Sequence, residues 1–283
     1  MKVLNMKIVA DSSADLVALS GVDFASTPLK IITSQKEYVD DRNLDVDQMV
    51  DELSVYNGKS STSCPSPSDW LNAFSDAECV FCITITGALS GSYNAACIAK
   101  QDYEEQYPNR SVFVIDSLSA GPELRLIIEK IKDYISIGKP FKEICEAITE
   151  YKKKTALLFM LVSLKNLANN GRVSPFVAKA VGLLGVRVVG KASDKGELET
   201  LEKCRGERKA LTAIVKNMRR QGHVGGKVII GHCQNENAAQ TLKELIILEF
   251  KNTEVEIYRS RGLCSFYAEK GGLMIGFEKA TAL

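Results

Sequence analysis

Two hydroxyl-rich segments carry the residue types most suited to chemistry: Thr62-Ser63, just ahead of one helix-start signal, and Ser90-Gly91-Ser92, just ahead of the next. A helix N-terminus offers free N–H groups and the positive end of a dipole, and hydroxyls beside it can donate to a carboxylate or phosphate. Capping alone explains Ser66, but Thr62, Ser63 and Ser92 exceed what two caps require, which points to an anion site. No acid or base neighbours them in sequence, so the chemistry suggested is binding rather than catalysis. Gly171-Arg172-Val173-Ser174 adds a fixed positive charge beside a glycine turn. Such a guanidinium suits either a surface ion pair or a carboxylate or phosphoryl group.

Standard catalytic signatures are missing. The run Gly222 to Lys227 lacks Walker A spacing, no dinucleotide GxGxxG or zincin motif occurs, and Ser90 has Ala88 where a nucleophile elbow needs glycine. The chain has two histidines, His223 in a Gly-rich loop and His232 at a strand end, and no spacing selects either for a Ser-His-Asp triad. Cys79-Val80-Phe81-Cys82 has CxxC spacing, yet it lies in an apolar strand pattern without a second pair or a nearby histidine, so no metal is implied.

The elements that must position these residues alternate. Lys7–Ala10, Val80–Ile85 and Val112–Ile115 read as strands that each end in a polar turn, and Phe24–Ile32 reads as one extended segment containing Pro28. Between them come helices. One spans 45–56 with Asp45 as cap, and one opens at Ser66-Pro67-Ser68-Asp69, a capping box with proline at its first position. Others span 93–107, 123–137 and 141–152. Strand–helix alternation predicts a parallel α/β sheet in the N-terminal half. Beyond the apolar run Leu157–Ser163 the character changes. A helix is expected over 175–184, then strands Val186–Lys191 and Glu197–Lys203 paired across Asp194-Lys195-Gly196, with a helix at 208–220. Strands at 228–231, 254–258 and 273–277 and a helix at 235–250 complete a mixed α+β half. The expected division is a domain of residues 1–160 and a domain of residues 161–283.

Composition agrees with an ordinary globular protein. The 283 residues are 45% hydrophobic and 25% charged, and 36 basic against 35 acidic side chains leave +1, so net charge announces neither a nucleic-acid nor an anionic-membrane partner. The longest apolar stretch, Ala156–Val162, falls far short of the roughly 18 residues a membrane helix needs. Eight scattered cysteines and no evident secretory leader predict reduced thiols and a cytoplasmic location.

Taken together, several segments resemble the DegV family over nearly the whole chain. Asp11-Ser12-Ser13-Ala14-Asp15-Leu16 is similar to the family's opening, Thr62-Ser63-Cys64-Pro65-Ser66 to its TSxPS motif, and Leu89-Ser90-Gly91-Ser92-Tyr93-Asn94-Ala95-Ala96 to its LSGTYxxA segment. Val114-Ile115-Asp116-Ser117 and Leu167 through Ser174 resemble two more. The resemblance implies a two-domain α/β protein that holds a long-chain fatty acid in a buried tunnel between its domains and has no cofactor or nucleotide site of its own. It further implies that the carboxylate meets Thr62, Ser63, Ser90, Gly91 and Ser92, that Arg172 lies near the mouth where a phosphoryl group arrives, and that a separate fatty acid kinase subunit acts on the presented acid.

Two departures from the family pattern stand out. Tyr267 occupies the place of a carboxylate-binding histidine, and Asn169-Asn170 precede the Gly-Arg pair where lysine or glycine is usual. A phenol can still donate a hydrogen bond but cannot become cationic. The competing expectation is an autonomous hydrolase or phosphotransferase for a small anion, using Ser92 or His232. A third is a sensor whose ligand alters its affinity for another protein.

Overall fold

The computed structural model describes residues 5–174 and 185–280. The helix expected over 175–184 therefore lies outside the described residues. Strands run in order: β1 Met6–Asp11, β2 Asp23–Thr27, β3 Lys30–Thr33, β4 Glu37–Val39, β5 Ser60–Ser63, β6 Cys79–Thr84, β7 Ser111–Asp116, β8 Thr155–Leu161, β9 Val186–Ala192, β10 Leu198–Arg205, β11 Gly226–His232, β12 Thr253–Arg259 and β13 Leu273–Glu278.

The first sheet, ordered β2-β1-β6-β7, is parallel throughout. A parallel sheet needs helical crossovers that cover both faces, so its strands are apolar on both sides. All six residues of β6 are buried. Ile8, Phe81 and Ile83 pack with Leu124, Ile127 and Ile131 from the helix Pro122–Ser136. Val9, Val80 and Cys82 point the other way, toward Trp70, Phe74 and Tyr103 on the helices Pro67–Phe74 and Ser92–Gln106. The period of two also settles the CxxC pair. Three residues apart on one strand, Cys79 and Cys82 project to opposite faces, and burial pushes both thiols up. All eight cysteines are free.

The extended segment expected at 24–32 is two strands. Pro28 lacks an N–H for the ladder, and the chain leaves the first sheet after Thr27 to enter a small antiparallel sheet, β4-β3-β5, at Lys30. There Ile31 faces Thr62 across the pair β3–β5.

The second sheet runs β10-β9-β8-β13-β11-β12 and is mixed, with β11 and β12 parallel and the remaining pairs antiparallel. The turn expected at Asp194-Lys195-Gly196 joins β9 to β10. Gly196 sits at φ +77°, and a Cβ there would strike Thr86 Oγ1, so the hairpin tip of the second sheet rests on a loop of the first. One face of the sheet packs Leu158, Met160, Ile230 and Ile275 against the helices Glu207–Arg220 and Glu236–Glu249. The other carries Leu157, Phe159, Leu161 and Met274, and it meets Ile31, Tyr38 and Met49 from the first half of the chain.

A border at residue 160 falls inside β8, which belongs to the second sheet along its whole length. Two short helices, Lys165–Asn169 and Gly262–Ala268, were not expected from periodicity. Among the described residues no helix is long and apolar enough to cross a membrane.

Candidate functional site

Between the two sheets lies a cavity of about 300 Å³. Most of its wall is apolar: Leu157, Phe159 and Leu161 from β8, Met274 from β13, Leu198 from β10, and Leu29 and Ile85 from loops of the first half. Alternation explains why β8 contributes these residues, since every second side chain must face away from the rear core.

Six of the seven residues expected at a head-group site line this cavity: Thr62, Ser63, Ser90, Gly91, Arg172 and Tyr267. They sit together on one part of its wall. Thr62 Oγ1 and the Tyr267 hydroxyl lie 2.8 Å apart. Thr62 leads through Ser63 to Cys64, whose Sγ is 3.2 Å from where a Cβ on Gly91 would sit, so only glycine passes there without displacing the sulfur. Gly91 leads back through Ser90 to Leu89, whose carbonyl oxygen accepts Arg172 Nε–H at 3.2 Å. A second guanidinium N–H, on Nη1, goes to the Asn170 carbonyl. Arg172 and Tyr267 share the cavity wall, and the guanidinium charge favours the ionised phenol.

The protons of this cluster can be counted. Thr62 and Tyr267 bond to each other, so the pair has one O–H left to give. Burial raises the Tyr267 phenol, with the Thr62 bond and Arg172 opposing, and Tyr267 remains neutral at physiological pH. Ser90 Oγ accepts the Ser92 backbone N–H at 3.3 Å, and among the described residues its own proton has no acceptor. Arg172 carries the only formal charge among the cavity's described lining residues. Counting Ser63, whose hydroxyl likewise has no acceptor among the described residues, three hydroxyl donors and one guanidinium facing an apolar chamber suit an amphiphile with a small anionic head.

Ser92 departs from expectation. It is fully buried, does not line the cavity, and donates its hydroxyl proton to Asp11 Oδ2 at 2.6 Å. The reason is topological: the helix Ser92–Gln106 starts beside the carboxyl end of β1, where the Asp11 carboxylate needs donors. His232 is also absent from the cavity wall; its Nδ1 accepts the Asn235 N–H at 3.3 Å. His223 is buried against Phe250 and Phe277, with Nδ1 2.6 Å from the Glu278 carbonyl oxygen. A serine–histidine pair in the cavity is thus not formed by these residues.

Spacing alone missed the helix Gly262–Ala268, which carries Leu263, Cys264, Tyr267 and Ala268 into the cavity wall. Its first N–H groups are held by Asp40, whose two oxygens accept from Gly262 and Leu263 at 2.9 Å each. Asp15 braces the same turn by accepting from Arg261 N and the Tyr258 hydroxyl, both at 2.9 Å. Asp15 was legible as part of an opening motif; its role was not.

Comparison with known proteins agrees with this architecture. A family model described as an uncharacterised protein of the DegV family matches residues 5–280. A DegV domain-containing protein of Streptococcus pneumoniae is 44% identical over 279 residues, covering 97% of this chain and 99% of its own length. Among solved structures, the fatty acid kinase B3 protein of Streptococcus pneumoniae, loaded with linoleic acid, superimposes with a TM-score of 0.96 at 44% identity, covering 98% of this chain and 100% of that one. A DegV family protein of Eubacterium eligens loaded with heptadecanoic acid gives 0.95 at 43%, covering 97% and 100%. With its two large sheets, interposed cavity and matches over nearly its whole length, the chain belongs to the DegV family.

Proposed function

We propose that the protein binds a long-chain fatty acid in the cavity between its sheets and presents the carboxylate, at the cluster of Thr62, Ser63, Ser90, Gly91, Arg172 and Tyr267, to a separate kinase subunit that forms an acyl phosphate. The observation that carries this reading is the cavity itself, an apolar chamber whose few polar groups lie together, with one formal charge among its described lining residues. The linoleic acid and heptadecanoic acid held by the pneumococcal and Eubacterium relatives support the ligand class, and the kinase name of the former supports the partner. On this reading the chain is a carrier with no catalytic residues of its own, working in the cytoplasm.

The division of labour is physical. Each methylene moved out of water contributes ~0.8 kcal/mol, so the tail supplies affinity. The head, which must lose water on entry, gains little net energy and fixes orientation instead. The reading is tested by native mass spectrometry of the purified protein, followed by organic extraction. One fatty acid at close to one per chain is expected; an empty protein that also takes up no added fatty acid would overturn it.

A further inference from the structure

Asp11 ends β1 and is completely buried. Its Oδ1 accepts the Ser13 backbone N–H at 3.2 Å and the Ser13 hydroxyl. Its Oδ2 accepts the Ile85 N–H at 2.9 Å and the Ser92 hydroxyl at 2.6 Å. All four partners donate, so the position calls for a group that only accepts, which is a carboxylate. Burial raises this carboxyl and the four hydrogen bonds oppose that rise.

These partners lead to the cavity. Ile85 lines it. Ser92 opens the helix Ser92–Gln106, and its N–H holds Ser90 Oγ, the hydroxyl whose proton has no acceptor among the described residues. Leu89, one residue earlier, is the point where Arg172 attaches. The loop Leu89–Gly91 is thus suspended between Asp11, acting through Ser92, and Arg172.

From this we infer that Asp11 is a positioning residue: by fixing the Ser92 hydroxyl it aims the Ser90 donor at the ligand head and makes the site select a carboxylate over a neutral polar head. The inference rests on the fatty-acid reading above. It also assigns Ser92 a role behind the ligand, because its proton is already committed to Asp11.

The sign of the effect separates positioning from simple electrostatics. An anion near the head group repels a carboxylate, so loss of that charge alone would tighten acid binding. Loss of positioning weakens it. An amide at position 11 would set an N–H against the N–H of either Ser13 or Ile85 and release the loop.

The test is the affinity of hexadecanoic acid and of hexadecanol for the wild type, Ser92→Ala, Ser92→Thr and Asp11→Asn. The wild type is expected to prefer the acid. Ser92→Ala is expected to lose about tenfold in acid affinity, one well-placed hydrogen bond's worth, with alcohol affinity within about twofold. Ser92→Thr, which keeps the hydroxyl, is expected to restore the preference, and Asp11→Asn to follow Ser92→Ala. Equal losses for acid and alcohol, an unchanged ratio in Ser92→Ala, or tighter acid binding in Asp11→Asn would overturn the inference. Should Asp11→Asn fail to fold, the two Ser92 variants decide alone. A wild type that binds neither compound would refute the carrier reading itself, whereas one that binds the acid while the variants keep its selectivity refutes only the role of Asp11.

Discussion

The hydroxyls of Thr62 and Tyr267 meet at 2.8 Å across 205 residues of sequence, one from the edge of a small antiparallel sheet and one from a seven-residue helix. Neither oxygen has another partner within the described protein, so each depends on the other until a ligand arrives. Tyr267→Phe is expected to leave the fold intact and to weaken fatty-acid binding by about 1 kcal/mol, because Thr62 keeps a proton to give but loses the partner that orients it. A displacement titration with a fluorescent fatty acid would check this, and unchanged affinity would show that the pair lies outside the head-group contact.

A histidine at position 267 gives a second prediction. Tyr267→His introduces a group whose ordinary pKa is near 6.5 beside a bound carboxylate, and the carboxylate favours the charged imidazolium. Acid binding by this variant is expected to strengthen as pH falls from 8 to 6, while the wild type, with a neutral phenol in that place, stays flat over the same range. Parallel profiles for the two proteins would refute it.

Arg172 gives two of its N–H groups to the carbonyls of Leu89 and Asn170, and its other N–H groups have no acceptor among the described residues. Arg172→Ala is therefore expected to keep fatty-acid binding, reduced a few-fold, and to lose phosphorylation by a cognate kinase, where a cation must meet incoming phosphate. Undiminished acyl phosphate formation with the variant would count against the proposed presentation of the acid.

Asp15 predicts a pH dependence of stability. Burial, with the neighbouring Asp40 adding to it against hydrogen bonds from Arg261 and Tyr258, pushes its carboxyl up to about 7 from an ordinary 3.8. The folded state thus holds a proton that the unfolded chain has released between about pH 4 and 7, and in that window the unfolded state binds fewer protons. Stability from this group is full below about 4 and declines as pH rises through 7. Asp11, Asp40 and Glu123, buried and raised in the same direction, add slopes of the same sign. Asp15→Asn is expected to shrink the difference in urea midpoint between pH 5 and pH 8; a difference as large as that of the wild type would refute the assignment.

The two faces of the second sheet should respond differently to truncation. Phe277→Ala opens a hole in the rear core and is expected to cost about 3–5 kcal/mol. Phe159→Ala enlarges a chamber that already exists, so it is expected to cost less and to change which acyl chains compete best. Denaturation and competition binding on the two variants would separate the effects.

Local signals were readable wherever they act over a few residues. The Asp45 cap and the Ser66–Asp69 capping box are present as spacing predicts. The hairpin at Asp194-Lys195-Gly196 and the parallel order of the first sheet followed from turn chemistry and alternation. What spacing could not convey depends on distant partners. The helix Gly262–Ala268 lacks a cap of its own because Asp40, 222 residues away, supplies it. Ser92 looked like a ligand donor, since nothing within a few residues of it indicates that Asp11, 81 residues earlier, takes its proton. Pro28 is plain in the sequence, yet the switch of sheet it permits is a tertiary fact.

Strand β8 keeps two accounts of the same sequence. Leu158 and Met160 fill the rear core, while Leu157, Phe159 and Leu161, interleaved with them, shape the chamber. Changes at the odd positions remodel what the chamber admits at the expense of their contacts with the first half of the chain, while the even positions keep the rear core. A lineage built on this strand has a route to new cargo through alternate residues, one substitution at a time.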